Sequence, residues 1–261
     1  MSNRGVAVVT GGASGIGEAC CRELAKHGYL VAVLDRDGER AGEVARSIGG
    51  RALTVDVGDE ADVKRAADRV EAEVGPVEVL VNSAGILQKP VRPFDLSMAI
   101  YDDVVRINQR GTFVACVAFA ARMVERRGGC IVNIASISGM RSMPLHTYAP
   151  AKAAVISLTE TLAAEWGPAG LRVNAVSPGY TATPALLAAV ERGERDVSDL
   201  ARNAAMQRMV RPEEVASVVA FLASPAASAV TGVNIPVDCG CLVAMSWHPY
   251  GGLRSPQADP P

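Results

Sequence analysis

The sequence has no excess of charge of either sign. Its 26 lysines and arginines stand against 28 aspartates and glutamates, a formal net charge of −2. It therefore offers no polycationic surface of the kind that holds nucleic acid or an anionic membrane. Long hydrophobic runs are also missing. The longest, residues 113–121, falls well short of the roughly 18 apolar residues that suggest a membrane span. No charged-then-apolar leader opens the chain, so a soluble cytoplasmic protein is expected. Cysteine is present but unpatterned: Cys20, Cys21, Cys116, Cys130, Cys239 and Cys241 show no C-x-x-C spacing, and His27, His146 and His248 lie far apart. Neither a disulfide framework nor a metal site is expected. What the chain does have is apolar matter. With 49% hydrophobic and 21% charged residues it can bury a core, which excludes global disorder, and 261 residues suit one large α/β domain.

Short β-branched runs alternate with longer stretches of helical period. Residues 6–10, 30–34, 52–55, 77–81, 130–135, 172–176 and 233–237 read as strands, and 17–27, 38–48, 60–74, 97–127, 148–166 and 212–222 as helices. Continuous apolar strands between helices imply a parallel sheet covered on both faces, a doubly wound (Rossmann-type) α/β fold. Gly28, Gly75-Pro76, Gly128-Gly129 and Gly167-Pro168 each close a helical stretch just before a strand, as helix stop signals do. Composition shifts after Cys241, which divides the chain into a domain of residues 1–241 and a tail of residues 242–261, fraying beyond about residue 252.

Residues 10–17, Thr-Gly-Gly-Ala-Ser-Gly-Ile-Gly, follow the first strand and open a helix. There glycines allow a tight turn, and backbone N–H groups with the helix dipole can meet a pyrophosphate. Asp35 ends the second strand, where a carboxylate can accept ribose hydroxyls and repel a 2′-phosphate, favouring NAD over NADP. The alternatives are an N-cap role for Asp35 and tolerance of NADP through Arg36. Tyr148 and Lys152 stand four residues apart, hence on one helix face, where the ammonium can favour the phenolate. Ser136 ends the preceding strand on the carboxyl edge where such sheets bind ligands.

Taken in order, these motifs resemble those of the short-chain dehydrogenase/reductase family, and the likeness runs from about residue 5 to residue 240. Residues 10–17 are similar to its TGxxxGIG loop, Asp56-Val57 to its adenine contact, and Asn82-Ser83-Ala84-Gly85 to its NNAG segment with Ser for the second Asn. Asn108, Ser136, Tyr148 and Lys152 match its tetrad; Pro178-Gly179 and Thr183, with Thr181 between, match its nicotinamide-side stretch. The resemblance implies an oxidoreductase that interconverts a secondary alcohol and a ketone by hydride transfer, with a polyol, diol or 3-hydroxyacyl-type substrate. It implies that Gly11, Ser14, Gly15, Ile16, Gly17, Asp35, Asp56, Val57, Asn82, Ala84, Gly85, Tyr148, Lys152, Pro178, Gly179, Thr181 and Thr183 contact NAD. Ser136 would hydrogen-bond the substrate oxygen, Tyr148 exchange its proton, Lys152 hold the nicotinamide ribose and lower the tyrosine pKa, and Asn108 anchor a relay water. A homotetramer built on two long helices and the last strand is also implied. Read without the family, Asn108 is equally a helix-kink amide and Ser136 a strand-end cap.

Three departures stand out. Pro150 lies between Tyr148 and Lys152, so the helix must start near His146 or Thr147. Cys239 occupies a position commonly Gly in the family and is strained if that turn needs positive φ. The long tail carries Trp247, His248 and Tyr250, large amphipathic groups expected to pack residues 242–252 as an ordered arm over a subunit interface; an unstructured end is the alternative. Ser138, Met140, Arg141, Met143, His146, Tyr180, Leu186 and Leu187 fall in the segments expected to line a substrate cleft. Arg141 fits either a substrate anion or a solvated surface position. A different class of function, a catalytically silent NAD-binding sensor or scaffold, remains open to this fold.

Overall fold

Parallel strands need helical crossovers, and the computed structural model, which describes residues 4–194 and 196–253, supplies them. Strands β1 (Arg4–Thr10), β2 (Tyr29–Asp35), β3 (Arg51–Thr54), β4 (Val77–Asn82), β5 (Gly129–Ile134), β6 (Leu171–Pro178) and β7 (Asn234–Val237) form one sheet in the order β3-β2-β1-β4-β5-β6-β7. Every pairing is parallel. Side chains alternate between two cores. Ala7 and Val9 of β1 face one of them with Leu24 and Val44, while Val6 and Val8 face the other with Phe119 and Ile131. This two-sided burial is why the strands read as unbroken apolar runs.

Strand order reverses between β1 and β4, the switch point at which ligands bind in such sheets. Thr10 pairs with Asn82 across it, and the Thr10 carbonyl and hydroxyl accept from Ser83 N–H at 3.2 Å and Ala84 N–H at 3.3 Å.

The crossovers are built from α1 (Gly15–Lys26), α2 (Gly38–Ile48), α3 (Glu60–Glu73), α4 (Met98–Val104), α5 (Thr112–Glu125), α6 (Tyr148–Trp166), α7 (Pro184–Glu191), α8 (Val197–Arg202) and α9 (Pro212–Ala223), and a short α10 (Cys241–Ala244) follows the last strand. The single helix expected over residues 97–127 is divided, because a π-helical segment, Val105–Gly111, separates α4 from α5. Such widened turns occur frequently at functional sites. Helix α6 begins at Tyr148 with Thr147 as N-cap, which puts Pro150 in the first turn, where its missing N–H costs least. Among the described residues no helix is long and apolar enough to cross a membrane.

The tail is ordered as far as it is described, but compact rather than extended. Leu242 N–H donates to the Asp238 carboxylate at 2.8 Å, Cys241 is buried, a 3₁₀ segment covers Met245–Tyr250, and Gly252 N–H closes onto the Trp247 carbonyl at 3.0 Å. Trp247 is 50% and Tyr250 89% exposed in the single chain. The fraying expected beyond residue 252 concerns residues 253–261, all of which except Leu253 lie outside the described residues. Cys239 does adopt positive φ, 52°, a conformation that costs an L residue roughly 1–2 kcal/mol. Cys239→Gly is therefore expected to raise the thermal midpoint by about 2 °C, the strain relieved exceeding the backbone entropy added. A midpoint unchanged or lowered in thermal unfolding would show no strain at this turn.

Candidate active site

The turn after β1 bends back along the carboxyl edge. Gly15 has φ +56°, and a Cβ there would stand 3.3 Å from Thr183 Cγ2, filling the gap between α1 and the segment after β6. At Gly17 a Cβ would collide with the Gly11 carbonyl, so α1 starts against the loop only because that position is bare. The first N–H groups of a helix have no intrahelical partner, and here they face that cradle. Asp35 stands beside it. Its carboxylate accepts from Ala13 N–H at 3.1 Å and from Asp37 N–H at 3.0 Å. The N-cap of α2 is Asp37 instead, whose side chain accepts from Arg40 N–H, which removes the capping alternative for Asp35. A pyrophosphate-linked dinucleotide fits this arrangement of bare backbone, helix N-terminus and oriented carboxylate.

Along the same edge, Ser136 follows β5 by two residues, and its Oγ accepts from Ser138 N–H at 3.2 Å and Ser138 Oγ at 2.9 Å as the cap of a 3₁₀ turn, Ile137–Gly139. The strand-end-cap reading is thus met. The Ser136 hydroxyl also acts on the Tyr148 phenol, favouring its ionised form. Lys152, almost fully buried, donates to the Ile134 carbonyl at 2.7 Å and holds its Nζ 5.7 Å from the centre of the Tyr148 ring. Burial acts on both groups. It pushes the Tyr148 phenol up to about 12, the Ser136 hydroxyl pulling less strongly the other way, and it brings the Lys152 ammonium down to about 8. The expectation that the lysine depresses the tyrosine is therefore corrected for the chain alone: loss of water around the phenolate dominates, with the ammonium 5.7 Å from the ring centre.

Other expected residues divide. Asn108 sits in the π segment, fully buried, its amide clamping the Ile86 backbone through Oδ1 at 2.9 Å and Nδ2 at 2.8 Å. That occupies the side chain expected to anchor a water and fulfils the kink-amide reading. It nonetheless lies near Lys152, since a Cβ on Gly85 would approach both Asn108 Oδ1, at 2.7 Å, and Lys152 Nζ, at 3.7 Å. Asn82, grouped with the cofactor residues by sequence, turns inward. Its Nδ2 donates to Asn133 Oδ1 at 2.9 Å, and Asn133 Nδ2 donates to Thr159 Oγ1 at 3.0 Å, a buried chain tying β4 and β5 to α6. Asp56 is exposed and pairs with Arg106 at 3.4 Å, Val57 is buried beneath it, and Thr181 donates to the Gly179 carbonyl at 3.0 Å. Gly179 follows Pro178 and donates its N–H to the Val237 carbonyl at 2.9 Å; Thr183 caps α7. Ser14 is the exposed N-cap of α1, which Gly15 and Ile16 begin.

The expected substrate residues are split in the same way. Ser138, Met140, Arg141, Met143 and His146 line an open depression of about 440 Å³ against Ala149 and Ala153 of α6. Ser136, Tyr148, Tyr180 and Leu186 do not line it, because residues 149 and 153 face about 100° away from 148 and 152 around the helix. Arg141 is exposed and donates to the carbonyl of its neighbour Met140 at 2.9 Å. Tyr180 packs instead with Ile137, Ala204 and Cys241. Sequence reasoning missed Gln88, whose side chain reaches the start of α6; isolated between exposed Leu87 and Lys89, it gives no periodic signal.

A dinucleotide cradle at a switch point, facing a phenol and an ammonium over one cleft edge, belongs to oxidoreductases that use a nicotinamide cofactor. Comparison with known proteins agrees. A family model described as enoyl-(acyl carrier protein) reductase matches residues 11–241. D-threitol dehydrogenase of Mycolicibacterium smegmatis is 38% identical over 90% of this chain and 92% of its own. Galactitol 2-dehydrogenase of Rhizobium johnstonii is 42% identical over 90% and 93%. Among solved structures, one described as ribose-5-phosphate isomerase from Brucella melitensis 16M superposes with a TM-score of 0.95 at 54% identity, covering 97% of this chain and 98% of that one. Two with cofactor also superpose: ElxO with NADP (TM-score 0.87, 28% identity, 92% and 99% covered) and a Brucella melitensis 3-ketoacyl-(acyl-carrier-protein) reductase with NADH (TM-score 0.84, 34% identity, 90% and 97% covered). The chain belongs to the short-chain dehydrogenase/reductase family, and it is an oxidoreductase acting on CH–OH groups with a nicotinamide cofactor.

Proposed function

We propose that the protein oxidises one secondary hydroxyl of a polyol to the ketone, with NAD as cofactor, and performs the reverse reduction. The observation that carries this reading is the Ser136–Tyr148–Lys152 cluster at the carboxyl edge beside the glycine loop. Ser136 Oγ, already held by Ser138, orients the reacting oxygen. Tyr148 takes the hydroxyl proton in oxidation and returns it in reduction. Lys152 places a positive charge over the ring face and, kept from water, favours the phenolate each time it forms. When bound, the nicotinamide supplies the hydride chemistry. The polyol assignment draws on the activities of the threitol and galactitol relatives. Oxidation of galactitol and D-threitol with reduction of NAD, followed by absorbance, tests it; no turnover of any polyol despite tight NAD binding would favour the sensor or scaffold.

NAD rather than NADP follows from the backbone-anchored Asp35 carboxylate, which would meet a 2′-phosphate with like charge. The expected preference is at least roughly tenfold in kcat/KM, about 1.4 kcal/mol. Equal efficiencies would mean that exposed Arg36 offsets the carboxylate. The reading places the protein in the cytoplasm, in keeping with six free thiols. It also makes it a homotetramer, in which Trp247 and Tyr250 of the tail meet a neighbouring subunit, with residues 1–241 as the catalytic domain. Sedimentation of the chain truncated after Gly240 is expected to show altered assembly, and an unchanged tetramer with unchanged KM would make the tail a mere terminus.

A further inference from the structure

Helix α6 carries both Tyr148 and Lys152, yet its own N-cap does not cap it. The Thr147 side chain makes no cap bond to the helix and donates instead to the Tyr101 carbonyl at 3.3 Å. The first-turn N–H groups are nevertheless accounted for. Ala149 donates to the Leu145 carbonyl at 2.9 Å and Ala151 to the Thr147 carbonyl at 3.0 Å, and Pro150 has no N–H. Thr147 and Tyr148 remain, and both donate to one atom, Oε1 of Gln88, at 2.9 and 3.4 Å. Gln88 comes from the segment after β4, 59 and 60 residues away. It is 4% exposed, and its Nε2 is buried with no hydrogen-bond partner among the described residues.

That orphan donor is informative. A glutamate in the same place would offer the same acceptor with a charge-assisted bond and would gain from the helix N-terminus, but it would bury a carboxylate whose second oxygen finds no donor. Capping alone is therefore met by either side chain. The acid differs in one functional respect: it brings a negative charge to the backbone N–H of the very residue whose phenol must ionise. We propose that Gln88 is a positioning residue for the reaction, a neutral remote cap that fixes where α6 presents Tyr148 without opposing its ionisation. This rests on Tyr148 being the acid–base group.

The charged and titratable groups around Tyr148 make that sign clear. From α6 itself comes Lys152; from the β5 edge comes neutral Ser136. The exposed His146 lies two residues before it in the chain, and the arginines of the π segment packed on α6, Arg106 and Arg110, are turned to Asp56, Asp103 and Glu60. A carboxylate at position 88 would thus add, at the Tyr148 backbone, a negative charge that Lys152 alone opposes.

Two variants separate capping from charge. Gln88→Met keeps the length and loses the acceptor: kcat is expected to fall about tenfold, with substrate KM and NAD affinity within about twofold and no shift in the pH profile. Gln88→Glu keeps the acceptor: the thermal midpoint is retained, while the pH profile of alcohol oxidation moves about one unit to the alkaline side. The phenolate absorbance of Tyr148, titrated as the difference from Tyr148→Phe, moves with it. Wild-type kcat in Gln88→Met, or an unmoved profile and titration in Gln88→Glu, overturns the proposal. Should the wild-type protein oxidise no alcohol at all, the preceding functional reading fails, and the phenolate titration still reports whether Gln88 governs Tyr148.

Discussion

Tyr148→Phe is expected to lower kcat by roughly 10³-fold in both directions while leaving NAD affinity nearly intact. The physical reason is narrow. The ring keeps its place beside Lys152 Nζ, so the packing of α6 survives, and only the hydroxyl on which Ser136 acts is lost. Because burial pushes that phenol up to about 12 in the chain alone, the protonated form dominates at neutral pH. Oxidation, which needs the phenolate, should therefore speed up as pH rises, and reduction, which needs the phenol, should not. A near-wild-type rate in the variant would remove Tyr148 as the acid–base group.

Lys152→Met is expected to cost about 10²-fold in kcat, since the ammonium at the ring face has no substitute there. It should also leave a signature in stability that no active-site assay sees. Burial lowers the lysine pKa from 10.5 to about 8, so between those values the unfolded chain binds the extra proton. Stability of the wild type should consequently rise with pH across that window relative to the variant, which lacks the group. Parallel stability–pH curves for the two proteins would show that Lys152 is not desolvated as its geometry implies.

The sheet was legible because its strands are covered on both faces: runs such as Val31–Val33–Leu34 in β2, each fully buried, leave an apolar signature that polar helices interrupt. Glycine punctuation placed the helix ends to within a residue or two. The division of residues 97–127 was not legible. Nothing in periodicity marks a π turn, and the one here coincides with a tertiary clamp of Asn108 onto Ile86. The same holds at the site. The loop, Asp35, Ser136, Tyr148 and Lys152 sit in local strand–turn–helix contexts that spacing reveals. The inward turn of Asn82 toward Asn133, the separation of Arg141 and His146 from the Tyr148 face, and the cap by Gln88 depend on contacts between segments distant in sequence. The direction of the Tyr148 shift was missed for a related reason: helical spacing shows the neighbouring ammonium but not how much water burial removes.

The most direct test of the account is the fate of one hydrogen. Galactitol or D-threitol labelled with deuterium on the secondary carbinol carbons, incubated with the wild-type protein and NAD, should deliver deuterium to the nicotinamide ring of the recovered NADH. In Tyr148→Phe, the same transfer should be slowed by roughly 10³-fold. NADH that carries no deuterium, or transfer as fast in Tyr148→Phe as in the wild type, would contradict the assignment of hydride transfer from a polyol carbinol with Tyr148 exchanging the proton.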